Sequence, residues 1–273
     1  MGCDGSSDFD SGEREEGGGE MGRAGSTGSG FGEGVELSPP DICGFLETTL
    51  IDWEGSVAAE VFLCGCNFRC PFCHSAHLVF GRVERLMWDA VVDSLRRRGA
   101  FIDGVVVSGG EPTLHGERLV ELCRRIKAEG FAVKIDTNGT SPHLLRRLYD
   151  EGLLDFVAVD LKAPLDERRY RLATGVNADI AAIKQTLTWL ISGQGPSYEV
   201  RTTVVPTLHD ITTLEEMAHT LSGAADWVLQ NFNPKNGCLD PQWEKITPYD
   251  KELLEMWVER LRRIVPCRLR GAF

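Results

Sequence analysis

The sequence has no apolar run long enough to cross a bilayer, and it lacks the basic start and apolar core of a secretory signal. Its opening residues are too acidic for a typical transit peptide. These absences lead us to expect a cytoplasmic protein with no membrane partner. A basic surplus is missing too: the formal net charge is −12, which gives no electrostatic footprint for nucleic acid. There is no internal repeat of fixed period. The histidines His74, His77, His115, His143, His209 and His219 form no recognisable catalytic grouping, and no general acid–base dyad is evident.

The 273 residues, 42% of them apolar, suffice for one large domain or two small ones. The charge is unevenly spread. Residues 1–41 carry ten acids against Arg14 and Arg23, or −8, which leaves about −4 for the rest, and they hold 12 of the 30 glycines. Low hydrophobicity with high charge predicts a disordered acidic leader over 1–41. It is followed by a core over 42–235 and by a C-terminal loop and helix over 236–273.

From residue 42 onward, short β-branched runs alternate with segments of helical period. Strands are expected at Val57–Cys64, Gly104–Ser108, Ala132–Asp136, Phe156–Leu161, Glu199–Val205 and Trp227–Phe232. Helices are expected near 86–98, 116–129, 142–151, 178–193, 211–222 and 248–264. Asp210 and Pro248 serve as start signals, Gly130 and Gly152 as stops. Six βα units imply an α/β fold with a parallel sheet covered by helices, and strands apolar almost throughout suit burial on both faces. An open doubly wound sheet and a partial (β/α)6 barrel both fit. The unusual polar or glycine-rich stretches all follow strands, where the ligands of parallel α/β folds bind. They are the cysteines, Ser108-Gly109-Gly110-Glu111-Pro112, Asp136-Thr137-Asn138-Gly139, Asp160-Leu161-Lys162, Arg201-Thr202-Thr203 and Gln230-Asn231.

Of nine cysteines, Cys66, Cys70 and Cys73 follow the first predicted strand in the spacing C-x₃-C-x₂-C. With an odd count and no secretory signal, the cysteines read as metal ligands or buried thiols rather than a disulfide framework. Three readings of the cluster stay open: thiolates holding an iron–sulfur centre, zinc held by the three cysteines with His74 or His77, or thiols packed in a core. In a 4Fe–4S cubane three ligands leave one iron open. Cys64 reads as a buried strand residue, with a fourth ligand as the alternative. Cys3, Cys43 and Cys123 show no ligand spacing, and Cys238 and Cys267 are too few for a second cluster.

The cysteine motif, with Gly109-Gly110-Glu111 after the next strand, resembles the radical S-adenosylmethionine (SAM) superfamily. Within it, Leu50–Gly55, Val61–His74, Ser108–Thr113, Asp136–Gly139, Asp160–Pro164 and Arg201–Pro206 resemble the anaerobic ribonucleoside-triphosphate reductase activating proteins, which are glycyl-radical enzyme activating enzymes. The likeness runs from about 44 to 235. It implies a partial barrel of radical SAM type and an enzyme with a 4Fe–4S cluster and SAM as cofactors. By position, Cys66, Cys70 and Cys73 would ligate the cluster, and Phe72 would lie against the adenine. Gly109 and Gly110 would allow close approach to the methionyl part, their amide and carbonyl groups holding its amino group. Glu111, Asp136, Asn138, Asp160 and Lys162 would line the same mouth, and Arg201 would meet or orient the SAM carboxylate.

The resemblance further implies one-electron cleavage of SAM and hydrogen abstraction from a partner's glycine. The expected partner is anaerobic ribonucleotide reductase, served by an electron donor such as flavodoxin or ferredoxin. The alternatives are another glycyl-radical enzyme, a small-molecule substrate as in deazapurine synthases, or a zinc-stabilised binding module without turnover. His74, where related activators often carry asparagine, and the extra Cys64 depart from the pattern. The stretch Asn233–Thr247, with Trp243, is expected on the active-site side.

Overall fold

A computed structural model describes Gly2 and residues 38–271. The chain divides into units Met1–Glu36 and Leu37–Phe273. The leader expected over 1–41 lies outside the described residues apart from Gly2 and its last four positions.

The second unit holds one sheet of eight strands in sequence order: β1 (Ile42–Thr49), β2 (Ala58–Leu63), β3 (Gly104–Gly109), β4 (Ala132–Thr137), β5 (Phe156–Asp160), β6 (Ser197–Val204), β7 (Trp227–Asn231) and β8 (Cys267–Arg270). β1 is antiparallel to β2, and every later pair is parallel. The helices are α1 (Ala76–Val79), α2 (Trp88–Arg98), α3 (Glu117–Ala128), α4 (Pro142–Asp150), α5 (Glu167–Thr174), α6 (Ile180–Ile191), α7 (Ile211–Thr220) and α8 (Lys251–Leu261). The six expected strands and six expected helices are all present; β1, β8, α1 and α5 were not foreseen. Asp210 caps α7, its carboxylate accepting from Thr213 N at 2.7 Å. The residue at the start of α8 is Asp250, not Pro248.

The strand order separates the two architectures that the sequence left open. A doubly wound sheet reverses its order at a switch point; here β2 to β8 advance without reversal. Right-handed crossovers then put the helices on one face, and the sheet curls into a partial barrel. Residues alternate between the faces. Ala59, Val61, Leu63, Val105, Val107, Val133, Ile135, Val157 and Val159 belong to the main core cluster with buried helix residues such as Leu119, Leu122 and Ile126 of α3. Each such buried aliphatic contributes about 1.5–3 kcal/mol. The alternate positions include Glu60, Lys134, Asp136, Asp160, Glu199, Arg201, Arg268 and Arg270. The expectation of strands apolar on both faces is therefore corrected: the inner face is charged, and apart from Glu60, which forms no ion pair among the described residues, its charges are paired there.

The reading of the cysteines as ligands or buried thiols needs a second correction. Cys43 on β1 and Cys64 just after β2 form a disulfide, with Cα atoms 5.7 Å apart. The antiparallel register that pairs Ile42 with Leu63 brings them together. The C-terminal stretch supplies a strand as well as a helix: α8 buries Leu254, Val258 and Leu261, and β8 extends the sheet beside β7.

Candidate functional site

The cysteine loop is fastened from several sides. Gly65, at φ 88°, donates its N–H to Leu78 O of α1 at 2.9 Å. Arg69 N donates to Thr174 O at the end of α5 at 2.7 Å. Within the loop, Cys73 N donates to Cys70 O (3.0 Å) and Phe68 N to Cys66 Sγ (3.3 Å). So held, Cys66, Cys70 and Cys73 line one cavity of about 250 Å³. Among the described residues no three His, Cys, Asp or Glu side chains converge on a point where one ion would sit. Thiols that line one cavity fit a cluster, in which each thiolate takes its own iron. Burial pushes the Cys70 thiol up to about 12, against the pull of nearby Lys162, so loading metal here must release a proton. Cys64 is taken up by Cys43, which removes it as a fourth ligand.

The end of β3 forms the adjoining wall. A Cβ on Gly109, whose φ is 116°, would stand 2.2 Å from Leu63 O; one on Gly110 would stand 1.9 Å from Gly65 O. Gly110 N donates to Leu63 O (2.8 Å) and Glu111 N to Gly65 O (2.7 Å). The close approach that these glycines visibly permit is that of the cysteine loop itself, and it uses the amides of Gly110 and Glu111. Glu111 is buried, and its carboxylate accepts from Thr113 N (3.0 Å), Thr113 Oγ1 (2.6 Å), Thr137 Oγ1 (2.8 Å) and Asn138 N (2.7 Å). Burial raises its pKa despite these donors. It works as a clamp between the ends of β3 and β4. Asn138 reaches back to the loop, its Nδ2 donating to Asn67 Oδ1 at 2.7 Å.

Asp136, Asp160, Lys162 and Arg201 also line the cavity. Arg201 binds Asp136 Oδ2 at 2.6 Å and Asp160 Oδ1 at 3.1 Å, and Lys162 Nζ lies 3.1 Å from Asp160 Oδ2. Burial alone would raise Asp160, but Arg201 and Lys162 hold it down at about 2. The same carboxylates keep Arg201 and Lys162 charged against burial. Asp136 Oδ1 is buried and accepts no hydrogen bond, with Lys134 Nζ 3.3 Å away. His209 is buried, which lowers its pKa to about 4. Its Nδ1 accepts from Val205 N and its Nε2–H donates to Lys162 O, so it fixes the Lys162 backbone.

The stretch after β7 covers the loop. Asp240 N donates to Pro71 O (2.9 Å), His74 Nδ1 donates to Gly237 O (2.8 Å), and the Phe72 and Trp243 rings stand 6.0 Å apart. Every predicted site residue thus borders one cavity. Sequence reasoning gave no role to Phe68, Ser75, Val79, Ser108, Thr137 and Thr203, which line it too; Ser108, Thr137 and Thr203 stand in the polar stretches it had singled out.

A family model described as Radical SAM superfamily matches residues 61–222. A protein of Methanocaldococcus jannaschii, assigned by name to the glycyl-radical enzyme activating enzymes, is 32% identical over 219 residues, which are 79% of this chain and 89% of that protein. The pyruvate formate-lyase-activating enzyme of Listeria monocytogenes is 30% identical over 177 residues, 59% of this chain and 69% of its own. Among solved structures, Streptococcus suis SuiB bound to S-adenosylmethionine superposes with a TM-score of 0.58 at 15% identity, over 77% of this chain and 49% of SuiB. A radical SAM methyltransferase from Sphaerobacter thermophilus gives 0.61 at 21% identity, over 78% and 66%. These two likenesses concern the fold.

Proposed function

The chain belongs to the radical SAM superfamily, and from that premise we propose that it is an activating enzyme that generates a glycyl radical on a partner protein. Its cofactors are a 4Fe–4S cluster and SAM. In this reading Cys66, Cys70 and Cys73 hold three irons and leave the fourth to SAM. When both cofactors are bound, they supply one-electron cleavage of SAM to methionine and a 5′-deoxyadenosyl radical, which takes hydrogen from the partner's glycine. The residues of the chain bind, orient and exclude water. Phe72 offers an aromatic surface to the adenine, backbone at Gly109 and Gly110 meets the methionyl end, and Arg201, steadied by Asp136 and Asp160, orients the SAM carboxylate. Lys162, kept cationic beside Cys70, offsets the negative charge of the thiolates.

One observation carries this reading: the three thiols share a cavity with the glycine and acid positions at the ends of β3, β4 and β5 and with Arg201 of β6. The partner we favour is anaerobic ribonucleoside-triphosphate reductase, on the motif likeness from Leu50–Gly55 through Arg201–Pro206, with a flavodoxin or ferredoxin as electron donor. The Listeria relative favours a second reading, in which a pyruvate formate-lyase is the partner and the chemistry is unchanged. The test is anaerobic reconstitution with reductant and SAM. We expect 5′-deoxyadenosine, and a glycyl radical by electron paramagnetic resonance on one of the two candidate partners. Absence of 5′-deoxyadenosine would sink the reading, and a radical on the lyase alone would reassign the partner.

A further inference from the structure

We propose that the outer side of the cysteine loop is the docking face for an acidic one-electron carrier protein; this rests on the activating reading, which needs an outside electron. The background is a chain of net charge −12 whose arginines are mostly matched by acids. Arg96 pairs with Glu129, Arg98 with Glu47, Arg147 with Glu117 and Glu151, Arg260 with Glu215, and Arg270 with Glu199. Arg69, Arg82, Arg85, Arg168 and Arg171, by contrast, have no carboxylate within ion-pair distance among the described residues; Arg97, Arg146 and Arg263 share that lack, but only the five lie about the cysteine loop.

These five surround the loop. The guanidinium carbons of Arg69 and Arg82 lie 5.4 and 5.2 Å from the centroid of the same ring, Phe80. Arg85 Nη2 donates to Gly81 O (3.5 Å), beside Arg82. On the other flank, a Cβ on Gly175 would stand 2.5 Å from Arg69 O, and Gly175 N donates to Arg171 O (2.8 Å). Arg168, Arg171 and Leu172 then line a shallow surface depression with Gly175. Phe80 is 47% exposed and Leu172 57%. Against the five cations stand the exposed Glu84 and Glu167.

Guanidinium groups with exposed aromatic and aliphatic side chains make up the composition of protein-docking hot spots, and a guanidinium held against a ring is preorganised. The patch adjoins the cluster ligands without blocking them. Arg69 Nη1 donates to Cys66 O at 2.5 Å and to Phe68 O at 2.7 Å, whereas Arg69, Phe80 and Arg82 do not line the cavity. The mouth therefore stays free for the glycine-bearing partner. The step delivered here is electron transfer alone: the carrier is oxidised by one electron and the cluster reduced by one, with no bond or proton exchanged.

The test is the double variant Arg82→Glu/Arg171→Glu in the reconstituted protein, with 5′-deoxyadenosine formation followed under dithionite and under reduced flavodoxin. With flavodoxin the rate is expected to fall about tenfold or more at low ionic strength and to converge on wild type as salt is added. With dithionite it should stay within about twofold, and Arg82→Lys/Arg171→Lys, which keeps the charge but loses the guanidinium stacked on Phe80, should lose less of the flavodoxin rate than the Glu pair. An equal loss under both reductants, or an unchanged flavodoxin rate, overturns the docking face. So does glycyl-radical formation that fails under dithionite while SAM cleavage persists, which would give the face to the radical-accepting partner. A wild-type protein that cleaves no SAM with dithionite overturns the activating reading instead, and the docking face with it.

Discussion

Replacing Gly110 with alanine adds one methyl group where the structure has no room for it. The new Cβ would stand 1.9 Å from Gly65 O and 2.6 Å from Gly65 C, against about 3.5 Å for a comfortable contact. Gly110 is not among the positive-φ glycines, so the substitution carries no backbone penalty and its effect is purely one of overlap. Gly65 must withdraw, which loosens Glu111 N–Gly65 O and Gly110 N–Leu63 O. Two hydrogen bonds at about 1 kcal/mol each, with a forced backbone shift of about 1–3 kcal/mol, come to about 3–5 kcal/mol. At 1.4 kcal/mol per decade this is about 10²- to 4 × 10³-fold in the population of the native loop. The burden falls on Cys66, the next residue. We expect Gly110→Ala to lose most of its iron and sulfide after anaerobic reconstitution and its SAM cleavage with it. Gly130→Ala is the control: at φ 89° with open space around the added Cβ, it should cost about 1 kcal/mol in stability and leave iron content alone. A Gly110→Ala protein with full iron and wild-type cleavage would show that the close approach has no bearing on the cluster.

Burial, with Asp52 and Asp136 nearby, pushes Glu60 up to about 8 from 4.5. The folded state therefore holds that proton more tightly than the unfolded chain, and stability should fall as pH rises from about 4.5 to about 8, by at most about 5 kcal/mol at 1.36 kcal/mol per unit. Glu60→Gln should remove this slope, and parallel denaturant-unfolding curves for variant and wild type across pH 5–9 would refute the assignment. Glu111→Gln sets an amide N–H against a backbone or hydroxyl donor; we expect a loss of about 1–3 kcal/mol in urea unfolding together with weaker SAM binding. Cys70→Ser should keep its far-ultraviolet circular dichroism while losing visible absorbance and SAM cleavage, and retention of iron in that variant would remove Cys70 from the ligand set.

The six parallel strands could be read from the sequence because their helix-facing residues are valine, isoleucine and leucine, and the site because its unusual residues end those strands. β1 was missed because, as an edge strand facing solvent in part, it carries only half of the apolar signal. β8 was missed because in Cys267-Arg268-Leu269-Arg270 two of four residues are arginine. The Cys43–Cys64 bond depends on the register of β1 and was hidden with it. Gly109 and Gly110 were marked for a close approach to the methionyl part of SAM; the backbone seen to approach them is that of the cysteine loop. Glu111 was marked as lining the mouth, and it does border the cavity, but its oxygens are engaged by four donors from Thr113 after β3 and from Thr137 and Asn138 at the end of β4. Spacing identifies a residue that must be present; it does not tell which neighbour uses it.

The charged inner face follows from the same limits. A closed eight-stranded barrel fills its interior with layers of branched apolar side chains, but here β8 does not pair with β1, and the seam is crossed by Glu54 with Arg270 at 3.1 Å. From that seam a ladder of alternating charge runs up the lumen. Arg270 Nη1 binds Glu199 (2.9 Å), Lys134 sits between Glu199 (3.7 Å) and Asp136 (3.3 Å), Arg201 joins Asp136 to Asp160, and Lys162 ends the series. Buried ion pairs of this kind add little stability over apolar replacements of the same volume, yet removing one partner costs about 3–5 kcal/mol. The ladder is better understood through geometry than through stability. Each charge fixes the one above it, and Lys134, only 1% exposed, transmits that constraint from strand to strand. Its upper rungs, Asp136, Arg201, Asp160 and Lys162, are the side chains that border the cysteine cavity. A polar mouth of fixed shape is therefore the end of a lumen that could not be filled with hydrocarbon.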